Sequence, residues 1–112
     1  MGTSGAYLGY LLEQLEELGP VRARAMFGGH GLYLDGRIFA IVVDDTLYLK
    51  ADPVSRGLFE ERGLSRFSYR RRGKTCYMSY YEPPEEALED GETLRHWARV
   101  AYEAALRAGE GG

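Results

Sequence analysis

A chain of 112 residues, 45% hydrophobic and 28% charged, has the length and apolar content of one globular domain, which excludes intrinsic disorder and leaves no room for two cores. Fourteen basic against 17 acidic residues give a formal charge of −3, so the chain as a whole is not the basic object that binds nucleic acid through its overall field. Cys76 is the only cysteine, which excludes an internal disulfide and any multi-thiolate zinc site, and no apolar run approaches bilayer length, so a soluble, cytoplasmic protein without membrane segment, metal or cofactor is expected.

Residues 6–18 place Leu8, Leu11, Leu12, Leu15 and Leu18 at helical spacing with Glu13, Glu16 and Glu17 between them, and Gly19-Pro20 closes this amphipathic helix. From residue 21 the punctuation changes to short strands. Residues 22–34 read as the first, interrupted at Gly28-Gly29; Asp35-Gly36 is a hairpin signal leading into 37–43, and Asp44-Asp45 turns the chain into 46–50. Three consecutive antiparallel strands are expected there.

Asp52 before Pro53 reads as an N-cap with proline at the first helical position, opening a short helix that carries Val54, Leu58 and Phe59 and ends at Gly63. A second hairpin follows, with strands 65–71 and 75–81 joined across Arg72-Gly73-Lys74 and stopped by Pro83-Pro84. On its second strand the alternate positions Cys76, Met78 and Tyr80 are expected to share the buried face. After an acidic turn at 85–90, Leu94, Trp97, Ala98, Ala101, Ala105 and Ala108 stripe a last helix whose other face holds Arg95, Arg99, Glu103 and Arg107. Trp97 is expected to lie buried against the sheet.

The order α-β-β-β-α-β-β-α, with segregated rather than alternating elements, predicts an α+β fold in two layers, an antiparallel sheet with helices on one face. One domain is expected over residues 1–112, with 1–5 and 109–112 as disordered ends.

Charge is unevenly distributed. Residues 50–74 carry eight bases against Asp52, Glu60 and Glu61, whereas 82–92 carry six acids and no base. Such blocks attract one another within a domain or between subunits, or form a docking patch for an acidic partner. Arginine outnumbers lysine 12 to 2 and asparagine is absent, which points to a GC-rich genome or a thermophilic host.

His30 and His96 are the only imidazoles available to serve a nucleophile, and neither has a motif around it, so no catalytic, metal or cofactor residues are assigned. Met26-Phe27-Gly28-Gly29-His30-Gly31 is the most unusual stretch: its glycines permit a bulge, a strand kink or an exposed loop, but it lacks the Gly-Lys-Ser/Thr ending of a phosphate loop. Tyr69, Tyr77, Tyr80 and Tyr81 are interleaved with Arg70, Arg71, Arg72 and Lys74, a mixture that stacks on bases and pairs phosphates, and that equally suits a protein interface. The four basic residues are expected to be exposed and to form a docking patch. Free sheet edges beside a tyrosine-rich hairpin also favour a homodimer.

The ordered series Met26 to Leu32 and Tyr33, Asp35-Gly36, Phe39-Ala40, Asp45 to Lys50, Met78-Ser79-Tyr80-Tyr81 and Pro83 to Leu88 resembles the N-terminal domain of the TfoX/Sxy competence-regulator family over nearly the whole chain. The resemblance implies a two-layer α+β domain and a link to transcriptional activation of DNA-uptake genes together with the cyclic-AMP receptor protein. It supplies no catalytic residues. The longer regulators carry a second domain resembling helix-hairpin-helix modules, for which no residues are expected after about Ala108. A non-enzymatic bacterial regulatory or adaptor domain acting by protein contact is the expected function. The alternatives are a nucleic-acid binder using the Tyr/Arg hairpin, and a small-molecule binder or enzyme at the glycine-rich stretch.

Overall fold

The computed structural model describes residues 5–26 and 28–111. Its first helix, α1 (Gly5–Gln14), is followed by a single 3-10 turn, Glu16–Leu18, rather than continuing to residue 18. Gly19-Pro20 explains the change, because a chain about to enter proline cannot keep helical geometry and the last amides tighten onto i−3 carbonyls (Leu18 N–H to Leu15 O, 2.9 Å). Gly5 opens this helix and the last helix runs to Gly111, so these parts of the expected disordered ends are helical; residues 1–4 and 112 lie outside the described residues.

Six strands form one antiparallel sheet: β1 (Arg22–Met26), β2 (Gly29–Leu34), β3 (Arg37–Val43), β4 (Thr46–Lys50), β5 (Arg66–Arg71) and β6 (Lys74–Tyr81), in the order β1-β2-β3-β4-β6-β5. The fold class is therefore the α+β arrangement expected, with one strand more. The segment expected as a single interrupted strand is a hairpin: Met26 pairs with Gly29, and Gly28 (φ +75°) reverses the chain between them. Three further hairpins turn on residue pairs with positive φ at both positions, Asp35-Gly36 (51°, 78°), Asp44-Asp45 (50°, 57°) and Arg72-Gly73 (52°, 78°). This is the signature of two-residue turns whose twist matches the flanking strands.

A bulge in β3 decides which face each residue serves. Leu32 pairs with Ala40 but Tyr33 with Ile38, so Phe39 is the extra residue and both Phe39 and Ala40 turn inward. They join Leu32, Leu34, Val42, Leu47 and Leu49 beneath the helices. Helix α4 (Gly91–Gly111) lies on β3 and β4 with Leu94, Trp97, Ala98, Ala101, Ala104 and Ala105 buried, while α1 contributes Leu11 and the residue just after it, Leu15, is buried as well. Ala104 takes the inward place expected for Ala108, which is exposed: the last turn lies over the Arg37 side chain at the start of β3, where the sheet ends. Trp97 is buried, with its ring against Phe59 of α2 (Arg56–Glu60), which stacks in turn on Tyr81 of β6. Among the described residues no helix is long and apolar enough to cross a membrane.

Asp52 stands before Pro53 as an N-cap would, but it is not the N-cap of α2. Residues 53–55 form a turn that leaves Val54 exposed, and the helix begins at Arg56 with Ser55 in the N-cap position. Asp52 organises that turn and performs one further task. Its Oδ1 accepts the amides of Val54 and Ser55 (3.1 and 3.0 Å), and the guanidinium of Arg107, near the end of α4, donates to both carboxylate oxygens at 2.6 and 2.9 Å. The Arg107 bond and the turn bonds hold the carboxyl well below the usual carboxylate range. A depressed folded pKa means that the stabilisation is complete above the unfolded value of about 4 and is lost as pH falls through the folded one. Asp52→Asn keeps an acceptor for the turn amides but loses the charged pair with Arg107, which should cost about 1–2 kcal/mol at pH 7, and urea titrations at pH 7 and pH 3 should show the gap from wild type narrowing in acid.

The opposed charge blocks meet once in a close pair, Arg62 with Glu86 at the start of α3 (Glu85–Glu89). Arg56 and Glu60 pair within α2 at 3.7 Å, so much of the basic block is left for the β5–β6 hairpin.

Candidate interaction groove

With all the helices on one face, the other face of the sheet is open, and the hairpin β5–β6 shapes it. β4 and β6 pair at only two positions, Leu49 with Tyr81 and Lys50 with Tyr80, and just beyond β4 the Ala51 backbone stays tied to Ser79, whose hydroxyl donates to Ala51 O at 2.7 Å. Between the pairs Arg66–Tyr81 and Ser68–Tyr77, β5 advances two residues while β6 advances four, which places a bulge at Met78-Ser79-Tyr80. Its carbonyls are satisfied: Arg66 Nε donates to Met78 O (3.0 Å), and the Ala51 amide to Ser79 O (2.9 Å). The bulge bends the hairpin so far that Tyr48 of β4 meets Phe67 of β5 edge-on, 4.9 Å between ring centroids, although β6 lies between their strands.

The result is a groove of about 710 Å³ between the open face of β3–β4 and the bent hairpin. Ile38, Ile41 and Val43 of β3 line it on one side and Tyr48, Phe67, Tyr69, Met78 and Tyr80 on the other; Met26 lines it too. Apart from its tyrosines, the ionisable side chains among the described lining residues are His30, Asp44 and Arg71. Burial pushes the hydroxyls of Tyr48 and Tyr80 above their ordinary value, so both rings stay neutral at physiological pH. Lys50 Nζ sits 5.5 Å from the Tyr80 ring centroid and Arg24 Cζ 5.6 Å from that of Tyr33, so two cations of this face already rest on aromatic rings.

The two stretches singled out in the sequence meet here. From the glycine-rich motif, Met26 and His30 line the groove, and each glycine has its own reason. Gly28 makes the turn; a Cβ on Gly29 would lie 2.3 Å from the Val42 carbonyl oxygen; one on Gly31 would strike Met26 Sδ (2.7 Å) and Ile38 Cδ1 (2.9 Å), which roof that position. The motif is thus a tight hairpin packed onto its neighbours, not a kink or an exposed loop. Phe27 lies outside the described residues. Tyr33 stands opposite Arg22 and Ile38, beside the groove. His30 pairs with Val42, and its Nδ1 is buried without a hydrogen-bond partner among the described residues. No three His, Cys, Asp or Glu side chains among those residues come together as a metal site.

The four basic hairpin residues are all exposed, as expected, but they do not act alike. Arg70 is tied down, its Nη2 donating to Gly73 O at 2.9 Å. Arg71 lines the groove; Arg72 occupies the turn; Lys74 stands directly across from Arg71. The interleaved tyrosines are divided as well. Tyr69 faces the groove, Tyr77 is exposed, paired with Ser68, and Tyr81 is buried, donating its hydroxyl to Glu60 at 2.6 Å. Cys76, Met78 and Tyr80 share a face as the alternation requires, but it is the groove side and not the helix-covered core, because the bulge hands the core to Tyr81. The long-range participants Ile38, Ile41 and Phe67 had no sequence signal beyond apolarity.

The TfoX N-terminal domain profile matches residues 13–105 of the chain. Protein Sxy of Escherichia coli K12 is 28% identical over 95 residues, which is 85% of this chain and 46% of that protein. DNA transformation protein TfoX1 of Aliivibrio fischeri is 31% identical over 107 residues, 83% of this chain and 51% of that protein. The chain spans about half the length of the curated relatives it matches.

Proposed function

This chain belongs to the TfoX N-terminal domain family, and from that membership we propose that it is a bacterial regulatory or adaptor domain in the control of DNA uptake, working in the cytoplasm by protein contact and not by catalysis. The observation that carries the reading is the convergence of the glycine-rich hairpin and the basic hairpin on one open, apolar groove. An exposed apolar surface of this kind marks a contact site, and the groove's mixture of tyrosine, methionine and arginine is the composition enriched where proteins meet. In this reading the partner belongs to the transcription machinery or is the cyclic-AMP receptor protein, as the family resemblance implies.

The test is genetic. Deleting the gene should lower natural transformation and the transcripts of DNA-uptake genes, and the wild-type gene supplied in trans should restore both. Unchanged transformation and transcripts in the deletion strain would refute the regulatory reading.

A further inference from the structure

We propose that the groove docks an acidic amphipathic segment of a partner protein, its apolar side chains seated on Ile38, Val43 and Met78 and its carboxylates on Arg71, Arg72 and Lys74. This inference rests on the protein-contact reading above and names the chemistry of the partner. Three observations lead to it.

The first is charge. The hairpin from residue 66 to 81 carries five cations and no acid in a chain whose net charge is −3. Arg70 is engaged by the turn carbonyl and Arg66 by Met78 O, whereas Arg71, Arg72 and Lys74 make no ion pair among the described residues. The second is register. Arg71 and Lys74 are a direct cross-strand pair, and like charges placed opposite each other destabilise a hairpin. With Arg72 held at φ +52° between them, the tip concentrates three uncompensated cations in four residues, a cost that an anionic partner relieves. The third is the groove beside that tip. Its β3 side is aliphatic, and Met78 and Tyr69 expose 38% and 40% of their surface, which suits apolar anchors from a peptide.

A nucleic-acid strand fits less well. Binding one takes several cations along the track of the phosphates and free aromatic faces for the bases. Here Arg71 is the only arginine or lysine lining the groove, Lys50 already rests on Tyr80, and Phe67 is engaged by both Tyr48 and Tyr69. The acidic blocks of this chain itself also fit poorly, since Ala87 of α3 is buried in the core.

The experiment selects a displayed library of random 16-residue peptides against the purified protein and measures the winners by fluorescence anisotropy. Enrichment of Asp and Glu interspersed with Leu, Phe or Trp is expected. Arg71→Glu should weaken the winning peptide at least tenfold while raising the melting temperature by about 1–5 °C, because it replaces a like-charge cross-strand pair with an opposite one. Met78→Glu, at a partly exposed position, should weaken binding to the same degree with an unchanged circular dichroism spectrum. Winners without acidic bias, no winners, or binding unaffected by both variants would overturn the proposal. So would concentration-dependent dimerisation abolished by Met78→Glu, which assigns the groove to a second copy, or steeply salt-dependent binding of a single-stranded DNA 20-mer abolished by Arg71→Glu. Each of these leaves the transformation phenotype of the deletion strain standing, so failure here is distinct from failure of the regulatory reading.

Discussion

Trp97→Ala should destabilise the protein by about 3–5 kcal/mol, the range for removing a large buried aromatic. Trp97 is 8% exposed and lies where three elements meet: its ring tilts on Phe59 at 5.2 Å, Phe59 stacks on Tyr81 at 5.3 Å, and the guanidinium of Arg62 covers the indole at 5.8 Å. Alanine would leave the fully buried Phe59 without a neighbour on one side, and the short helix α2 is held at one end by the Asp52 turn, which limits how far it can collapse into the space. Phe59→Ala should cost a similar amount. The double variant should cost less than the two losses added, because both remove the same ring contact. Urea titration at pH 7 reads all three; a melting temperature unchanged by Trp97→Ala would show that α4 is not anchored through this stack.

Gly29→Ala should cost about 3 kcal/mol, at the upper end of what overpacking does. The clash is with backbone, 2.3 Å from the Val42 carbonyl oxygen, so relief requires β2 and β3 to move apart. The neighbouring glycines set the scale. At Gly31 the obstructing atoms are the ends of the Met26 and Ile38 side chains, which can swing away, and at Gly28 a Cβ meets nothing within 4 Å and only the positive φ of +75° is penalised. Alanine at 28 and at 31 should therefore each cost less than at 29. Equal losses at all three positions would contradict the packed hairpin.

The parts of the fold that could be read from the sequence are those fixed by local chemistry. Asp35-Gly36 supplies the positive φ that a two-residue turn demands and stands where it is expected, whereas Asp52-Pro53 organises a turn over 53–55 and the helix itself starts only at Arg56. Phe27-Gly28 sends a weaker signal, since the glycines around it suit a bulge as well as a turn, and β1 with its alternating arginine and alanine has little apolar pattern to mark it as a separate strand. The continuous apolar stretch of β3 has no period from which its bulge could be located.

Alternation in β6 correctly grouped Cys76 with Met78 and Tyr80, but period two says which residues share a face, not which face the helices will cover. The groove itself was least legible. Met26 and Arg71 lie 45 positions apart, and only the curl imposed by the bulge at residues 78–80 brings their stretches to one surface. Each was singled out locally, one for its glycines and the other for its cations, while their conjunction is a property of the sheet.

If this open groove carries the protein's function, transformation frequency should report it in a strain whose only copy of the gene encodes Met78→Glu, with protein abundance followed by immunoblot. Transformation should fall to the level of the deletion strain while abundance stays at that of wild type. Wild-type transformation with the charged side chain in the groove would contradict it.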